Sequence, residues 1–351
     1  MVLFLFMLTR EIKNSIISMC IIFVIKEINI MINKKYFVVS DMHSFYDELI
    51  SALSIAGYSK DNESHILIVN GDVFDRGPKS KEMFKFLTSI PKDRLVLIKG
   101  NHEYILLNLF NSAFPNNSDF SNGTVYTMCQ LASSTPDEAR ELFISLRDGL
   151  HLLQYTSLLS ISNKDVDKKL VAQWKKIVRK VKKLGVEEWL KSEEWNNFYE
   201  LNRFIFTHCF IPLRNPFNID IYNNFNYSDY LYYNKDWRTD ATDAEWYSAV
   251  WGCPWRLYDA GFFKQEEDNG KTLVCGHWHT SDFYKYFNKD FNDTSEIFYS
   301  SGIIAIDGGV YYKNGELYHP CNVLIIENNK CYNKYGEELK EVNINNEHSD
   351  Y

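Results

Sequence analysis

The chain has 351 residues, enough for one large domain or two small ones with a substantial core. Its composition, 45% hydrophobic and 24% charged, is that of a globular protein, and a formal net charge of -8 excludes a wholesale nucleic-acid coat while leaving room for a local basic patch. Seven cysteines, irregularly spaced and with no C-x-x-C pair, read as reduced intracellular thiols rather than a disulfide framework.

Residues 16–25 are apolar except for Ser18 and lie between Lys13 and Lys26. The stretch falls short of the roughly 20 residues that cross a bilayer, and no small-residue cleavage site follows it. Residues 1–30 are therefore expected to be a dispensable extension, with Met31 a sensible start; an added helix or a membrane anchor are the alternatives. From there, β-rich apolar runs alternate with stretches of helical spacing. Runs at 36–39, 66–69 and 95–98 end respectively in Ser40-Asp41, Asn70-Gly71-Asp72 and Gly100-Asn101-His102, and residues 46–56 and 81–87 between them have helical periodicity. This is the pattern of βαβ units, in which chemistry gathers at the carboxyl ends of the strands. All three runs end in Asp, Asn and His, which is the first argument for a site.

The middle of the chain is expected to be a helical insertion over about 111–200. Thr135-Pro136-Asp137-Glu138 has a capping-box pattern, followed by Ala139, Leu142, Phe143 and Leu146 at helical spacing. Residues 166–184 carry the stripe Val166, Leu170, Trp174, Ile177, Val181 and Leu184, with a Lys-rich remainder that reads as a solvated face. Strand character returns at 204–207, 273–275, 303–306 and 322–327. Residues 215–250 read as loops, the aromatic cluster from Tyr222 to Tyr233 as loop packing, and 341–351 as a polar tail. The main domain then covers 31–340.

Five segments carry the chemistry: Asp41-Met42-His43, Gly71-Asp72-Val73-Phe74-Asp75-Arg76-Gly77, Gly100-Asn101-His102-Glu103, Thr207-His208 and Gly276-His277-Trp278-His279. Each follows an apolar run, and together they hold five of the nine histidines. Hard or borderline divalent cations take carboxylate, amide-oxygen and imidazole ligands. Asp41 and His43 can face one ion, Asp72 can bridge two, and Asn101, His208, His277 and His279 offer the rest. His65, His151, His319 and His348 lie outside any motif and read as structural or solvated, and Glu103 reads as a residue that caps or orients its loop.

D-x-H, G-D-x-x-D-R-G and G-N-H-E in this order resemble the calcineurin-like metallophosphoesterases, and within them the phosphoprotein-phosphatase branch of prokaryotic and phage type; Ile306-Asp307-Gly308-Gly309 also resembles a late segment of its bacterial and phage members. The resemblance covers residues 35–309 and implies an α/β fold, a four-layered αββα sandwich with metals between the sheet edges. It implies two divalent ions, manganese foremost with iron, zinc or nickel as alternatives. Asp41, His43 and Asp72 would hold one; Asp72, Asn101, His208 and His277 would hold the other; His279 would add to the first, as the second His of G-H-x-H does in the wider superfamily. A shared hydroxide would attack phosphorus, Arg76 would neutralise phosphoryl oxygens, His102 would protonate the leaving alkoxide, and Asp75 would orient His102. Two departures stand out: Ser44 where the family has Gly after D-x-H, and His208-Cys209-Phe210 where it has H-A-G. For the family's second phosphate-binding arginine, Arg256 is the candidate, with Arg203 and Arg214 competing.

The expectation is therefore a cytoplasmic phosphomonoesterase acting on a phosphorylated protein or small phosphoester, with no nucleic-acid or membrane partner. A symmetrical dinucleoside-polyphosphate hydrolase is the alternative enzyme, because Gly276-His277-Trp278 resembles the G-H-W of that group. A catalytically silent metal-binding module is the alternative from another class, disfavoured by the intact His102, Asp75 and Arg76.

Overall fold

The apolar runs become strands because Val, Ile, Leu and Phe fit a pleated surface buried on both faces. In the computed structural model, which describes residues 34–158, 164–215, 231–287, 294–313 and 316–342, three of them are β1 (Lys35–Val39), β2 (His65–Val69) and β3 (Leu95–Ile98). They pair in parallel, with Phe37 opposite Leu67 and Leu67 opposite Leu95. β4 (Trp195–Asn196) adds to β3 in parallel. On the other edge the sheet is completed antiparallel by β12 (Leu324–Glu327) and β13 (Lys330–Tyr332), giving the order β13-β12-β1-β2-β3-β4.

A second sheet has the order β5-β6-β7-β9-β8. Its strands are β5 (Phe198–Leu201), β6 (Phe204–Thr207), β7 (Thr272–Cys275), β8 (Phe298–Ser300) and β9 (Ile303–Ala305), with β6, β7 and β9 mutually parallel. β10 (Tyr311–Lys313) and β11 (Glu316–His319) form a separate hairpin.

Three apolar clusters show how the layers stack. Val38, Ile66, Ile68 and Ile98 of the first sheet meet Phe204, Phe206, Val274 and Ile304 of the second, so the sheets pack face to face. The outer face of the first sheet, including Phe37, Leu67 and Leu97, packs on helices α1 (Tyr46–Ile55), α2 (Ser80–Thr88) and α3 (Asn101–Leu109). Also in that layer, after the short α4 (Asn117–Ser121), are α5 (Thr124–Ala132), α6 (Pro136–Leu158), α7 (Lys164–Lys183) and α8 (Val186–Lys191). The outer face of the second sheet packs on α9 (Trp237–Asp240), α10 (Asp243–Ala249), α11 (Pro254–Asp259) and α12 (Thr280–Phe287). Helix, sheet, sheet, helix is the four-layered α/β sandwich.

The apolar stripe of α7 works as its spacing implies: Leu170, Trp174, Ile177 and Val181 are buried, and the Trp174 indole donates to the Ser112 carbonyl at 3.2 Å. Leu184, past the end of the helix, is exposed. The cap of α6 differs in detail. The Glu138 N–H donates to Thr135 Oγ1 at 3.2 Å, but the Glu138 carboxylate accepts from Ser134 N–H at 2.6 Å, one residue before the expected partner.

One expectation is corrected. Residues 215–250 are not all loop, since α9 and α10 fall within them; residues 216–230, and with them most of the Tyr222–Tyr233 cluster, lie outside the described residues. The signal for α10 was a T-x-x-E box: Glu245 N–H donates to Thr242 Oγ1 at 3.3 Å, and Thr242 N–H donates to Glu245 Oε2 at 2.8 Å. The late strand also starts at Leu324 rather than 322. Residues 1–33 and 343–351, which contain most of the expected extension and tail, are outside the described residues. Among the described residues no helix is long and apolar enough to cross a membrane.

Candidate metal centre and catalytic site

The three motif loops leave the ends of β1, β2 and β3 and meet the loops after β6 and β7 where the two sheets face each other. The backbone there is unusual: Asp41, His43, Ser44, Asp72, Asp75, Arg76 and His277 all have φ between 45° and 77°. Each such residue costs roughly 1–3 kcal/mol and persists only where its surroundings dictate it. Here the loops dictate each other: His43 N–H donates to the Asp72 carbonyl at 3.0 Å, Ser44 N–H to the Val73 carbonyl at 2.8 Å, and Gly77 N–H to the His43 carbonyl at 2.7 Å. The φ of 59° at Ser44 explains why glycine is usual at this place, and the Ser44 hydroxyl compensates by sharing a 2.9 Å hydrogen bond with Ser80 Oγ. Gly100 is required by proximity, since a Cβ there would collide with Asp72 Oδ1.

Two groups of side chains converge on Asp72. His43, Asp72 and His102 form one, and Asp72, His208 and His277 the other, each with ligand atoms within 4.8 Å of one another. His43 Nε2 and His102 Nε2 lie 3.8 and 3.9 Å from Asp72 Oδ2, while His208 Nε2 lies 3.5 Å from Asp72 Oδ1. The tautomers are set from outside. His43 Nδ1 donates to the Phe74 carbonyl and His208 Nδ1 to the Asn70 carbonyl, both at 2.9 Å, so each Nε2 lone pair points inward. For His208 that lone pair faces two acceptors, Asn101 Oδ1 at 3.0 Å and Asp72 Oδ1 at 3.5 Å. Three acceptors turned on one point is an arrangement that a cation reconciles. Asp41 joins through its carboxylate, which accepts from the Ser40 hydroxyl and from His277 N–H, the latter at 2.9 Å.

The electrostatics agree. Burial, then the charges of Asp307 and Asp72, push the Asp41 carboxyl well above its usual range. Burial also works to raise Asp72, but His208, His102, His43 and His277 outweigh it and hold Asp72 low. Burial pushes His277 down to about 3, with His208 adding to the effect, and burial with Arg76 and His102 holds His43 well below the normal imidazole range. Both shifts favour the neutral imidazole, the form that metal ligands take. Crowded buried carboxylates beside neutral imidazoles fit divalent cations in their chemistry.

Beside this cluster stands a second arrangement. His102 Nδ1 donates to Asp75 Oδ2 at 2.6 Å. Burial would lower His102, but Asp72 and Asp75 prevail and raise it. Arg76 bridges the imidazoles, donating from Nη1 to His43 Nε2 at 2.8 Å and from Nη2 to His102 Nε2 at 3.2 Å. Glu103 serves the backbone: its buried carboxylate accepts from Asp72 and Val73 N–H at 2.9 Å and from Gly100 N–H at 2.8 Å. Burial, then Asp72, push this carboxyl up to about 7 against those three bonds.

Residues 34–281 match the family described as calcineurin-like phosphoesterase. The chain belongs to the calcineurin-like phosphoesterases. As a calcineurin-like phosphoesterase it is similar over 74 residues, at 35% identity, to an asymmetrical bis(5'-nucleosyl)-tetraphosphatase of Bacillus subtilis, covering 19% of this chain and 30% of that protein. It is 27% identical over 128 residues to serine/threonine-protein phosphatase 2 of Salmonella typhimurium, covering 36% of this chain and 56% of that protein. The chain thus spans less than two thirds of the length of these curated relatives. A solved protein serine/threonine phosphatase from Saccharomyces cerevisiae aligns with a TM-score of 0.43 at 12% identity, over 84% of this chain and 73% of that one.

Of the residues singled out from the sequence, Asp41, His43, Asp72, Asp75, Arg76, Asn101, His102, His208 and His277 come together in the site of this phosphoesterase. His279 does not join either histidine–aspartate group; its exposed ring lies over Gly309 and near Asp307. Arg256, on α11, stands beside Cys253 and Tyr286. Arg214 is tied to Asp240 and Glu245, and Arg203 stands near Cys331 and Tyr299. The remaining departure, Cys209-Phe210, is a packing change, for Cys209 Sγ donates to the Gly252 carbonyl at 3.0 Å and Phe210 is buried.

Four more residues contribute to the site, two of which, Asn70 and Asp307, stand at the ends of apolar runs in the sequence. Asn70 ties the two sheets together, donating from Nδ2 to the Thr207 carbonyl at 2.7 Å. Asp307 is a buried carboxylate after β9, and the signal for it, an acid directly behind an apolar run, was the one used for Asp41 and Asp72. Thr124 and Thr127 on α5 donate to Asp75 Oδ2 and Oδ1, both at 2.7 Å, and nothing local in the sequence marks them.

Proposed function

We propose that the chain is a two-metal phosphoester hydrolase, acting first on phosphomonoesters in the manner of Ser/Thr phosphatases. The observation that carries this is the sharing of Asp72 by two histidine groups, directly beside a His102–Asp75 pair and Arg76. Asp41, His43 and Asp72 would hold one divalent ion, and Asp72, Asn101, His208 and His277 the other, with manganese the first metal to try. Such ions, when bound, supply Lewis acidity at the phosphoryl oxygens and a water made acidic enough to attack at neutral pH.

The chain's own groups do the rest. Arg76 has a planar fork that matches two phosphoryl oxygens. In the structure that fork is on His43 and His102, so a phosphoryl group that draws it away frees His102 Nε2 to carry a proton. Asp75 stabilises the charged imidazole, and His102 gives the Nε2 proton to the leaving oxygen. Glu103 fixes the amides of Asp72, Val73 and Gly100 and thereby the spacing of the two loops.

A second reading, a dinucleoside-polyphosphate hydrolase, is favoured by a row of rings that starts at the centre. Trp251 lies 6.0 Å from His277, Tyr247 6.3 Å from Trp251, and Tyr104 5.5 Å from Tyr247, centroid to centroid. Tyr247 is exposed, and aromatic faces of this kind stack nucleobases. The names of the bacterial tetraphosphatase relatives point the same way. The test is turnover by manganese-loaded protein of para-nitrophenyl phosphate, a phosphoserine peptide and diadenosine tetraphosphate. Phosphoserine preference supports the first reading and tetraphosphate preference the second; no turnover of any of the three refutes both and leaves a silent metal-binding module.

A further inference from the structure

Helix α5, in the connection from β3 to β4, turns Thr124, Thr127 and Gln130 toward the catalytic loop. The spacing of three puts them on one face, and all three are buried, where a polar group is costly unless it is hydrogen-bonded. Their partners lie in the stretch from Asp75 to Ser80. Thr127 Oγ1 donates to Asp75 Oδ1 at 2.7 Å and accepts from Asp75 N–H at 3.0 Å, so it holds both the carboxylate and the backbone of one residue. Thr124 Oγ1 donates to Asp75 Oδ2 at 2.7 Å, the oxygen that also accepts from His102 Nδ1 at 2.6 Å. Gln130 accepts from Ser80 N–H at 2.8 Å and donates to the Gly77 carbonyl at 2.9 Å. Gly123, just before the helix, packs so closely that a Cβ there would lie 2.6 Å from the Arg76 amide nitrogen.

We propose that Thr124 and Thr127 are positioning residues for proton transfer: they pin both oxygens of Asp75, and so the orientation of His102, which makes the connection between β3 and β4 part of the catalytic apparatus. The inference rests on His102 acting as the general acid. Without the two hydroxyls the Asp75 carboxylate keeps only the bond from His102 Nδ1, so nothing else fixes its plane, at a residue whose backbone is held at a φ of 77°. Gln130, in contrast, touches only backbone amides and the Gly77 carbonyl, so it supports the loop without steering the acid.

The test uses the full chain, loaded with manganese, and the variants Thr124→Val, Thr127→Val and the double variant. Valine keeps the shape and removes the hydroxyl, which at position 127 is also the acceptor for Asp75 N–H. On a phosphoserine peptide kcat should fall about ten- to a hundred-fold, the scale of a hydrogen bond to a charged group. On para-nitrophenyl phosphate, whose leaving group needs no proton, the fall should stay within about three-fold, a small part of what a general acid contributes. KM and metal content should not change. Thr124→Ser and Thr127→Ser keep the hydroxyl and should restore most of the phosphoserine activity. Gln130→Met should lower thermal stability and affect both substrates alike. Equal losses on the two substrates in the valine variants, or serine variants as impaired as valine, overturn the proposal. Should the double variant not fold, the single variants carry the same comparison. His102→Ala measured alongside separates the two readings. Equal losses there refute the general-acid assignment and this proposal with it, whereas unequal losses there with unaffected valine variants refute the threonine clamp alone.

Discussion

Glu103 offers the sharpest energetic test of how the site is built. Its side chain is 1% exposed, and its two oxygens take three backbone donors: Oε1 accepts from Val73, and Oε2 accepts from Asp72 and Gly100. Glu103→Ala leaves three N–H groups without an acceptor. Each unsatisfied buried donor costs about 1–3 kcal/mol, so the gross loss is several kcal/mol, comparable to half the stability of a typical domain, about 5–15 kcal/mol. Glu103→Gln is milder and more informative. Its amide oxygen can take the Oε2 place and keep Asp72 and Gly100, but its amide nitrogen then faces the Val73 N–H, donor against donor. The expected loss is about 1–3 kcal/mol, which moves a urea midpoint by roughly 0.5 M or more. Urea unfolding well above the pH of about 7 to which burial and Asp72 push this carboxyl, so that it is ionised, measures both variants with and without manganese, and the order should be wild type, then Gln, then Ala. The Ala variant should also bind metal less well, because the amide of Asp72 is one of the three groups it leaves without an acceptor. A Gln variant as stable as wild type would refute this account, since it would mean that a neutral side chain with one acceptor oxygen serves as well as the carboxylate.

Four further outcomes are expected. His102→Ala should retain its metals yet lose about 10²–10⁴-fold in kcat on phosphoserine, with a smaller loss on para-nitrophenyl phosphate; equal losses would point to a phosphate-binding role for His102. In the same vein, Asp72 and Asp75 raise His102 against the effect of burial, so its acid form persists to higher pH than in a free imidazole. Removing one of those charges in Asp75→Asn should shift the alkaline limb of the pH–kcat profile to lower pH, and an unmoved limb would dissociate His102 from it. Asp72→Asn should lower the occupancy of both metals in elemental analysis, since both histidine groups share that carboxylate; one ion kept at full occupancy would end the bridging assignment. A chain beginning at Met31 should fold, bind metal and keep full activity, and a failure to fold would show that residues 1–30 belong to the domain.

The scaffold of the site is legible in the order of residues alone. Short runs of Val, Ile, Leu and Phe bounded by Asp, Asn, Gly and His specify buried strands and where they stop, because β-branched and aromatic residues suit a pleat and the polar residues that follow suit turns. With Asp41, Asp72 and Asn101 at three such ends, the local pattern carried both the element and its chemistry. The α7 stripe was legible for the same reason, as periodicity is a local property. The parts left to the tertiary structure are those that depend on what a side chain meets after the layers close. Thr124, Thr127 and Gln130 look in the sequence like any polar face of a helix, and only packing α5 against the loop after β2 turns that face into buried donors for Asp75 and the loop backbone. His279 has the spacing of a ligand, and only the fold shows that its ring stands over Gly309 and near Asp307. Arg256 has the charge for a phosphate, and only the fold shows that α11 sets it beside Cys253 and Tyr286. Spacing along the chain decides which residues can reach a strand end; the crossing of loops decides which way they point, because the left-handed residues Asp41, His43 and Ser44 are held by the loop after β2, far away in sequence.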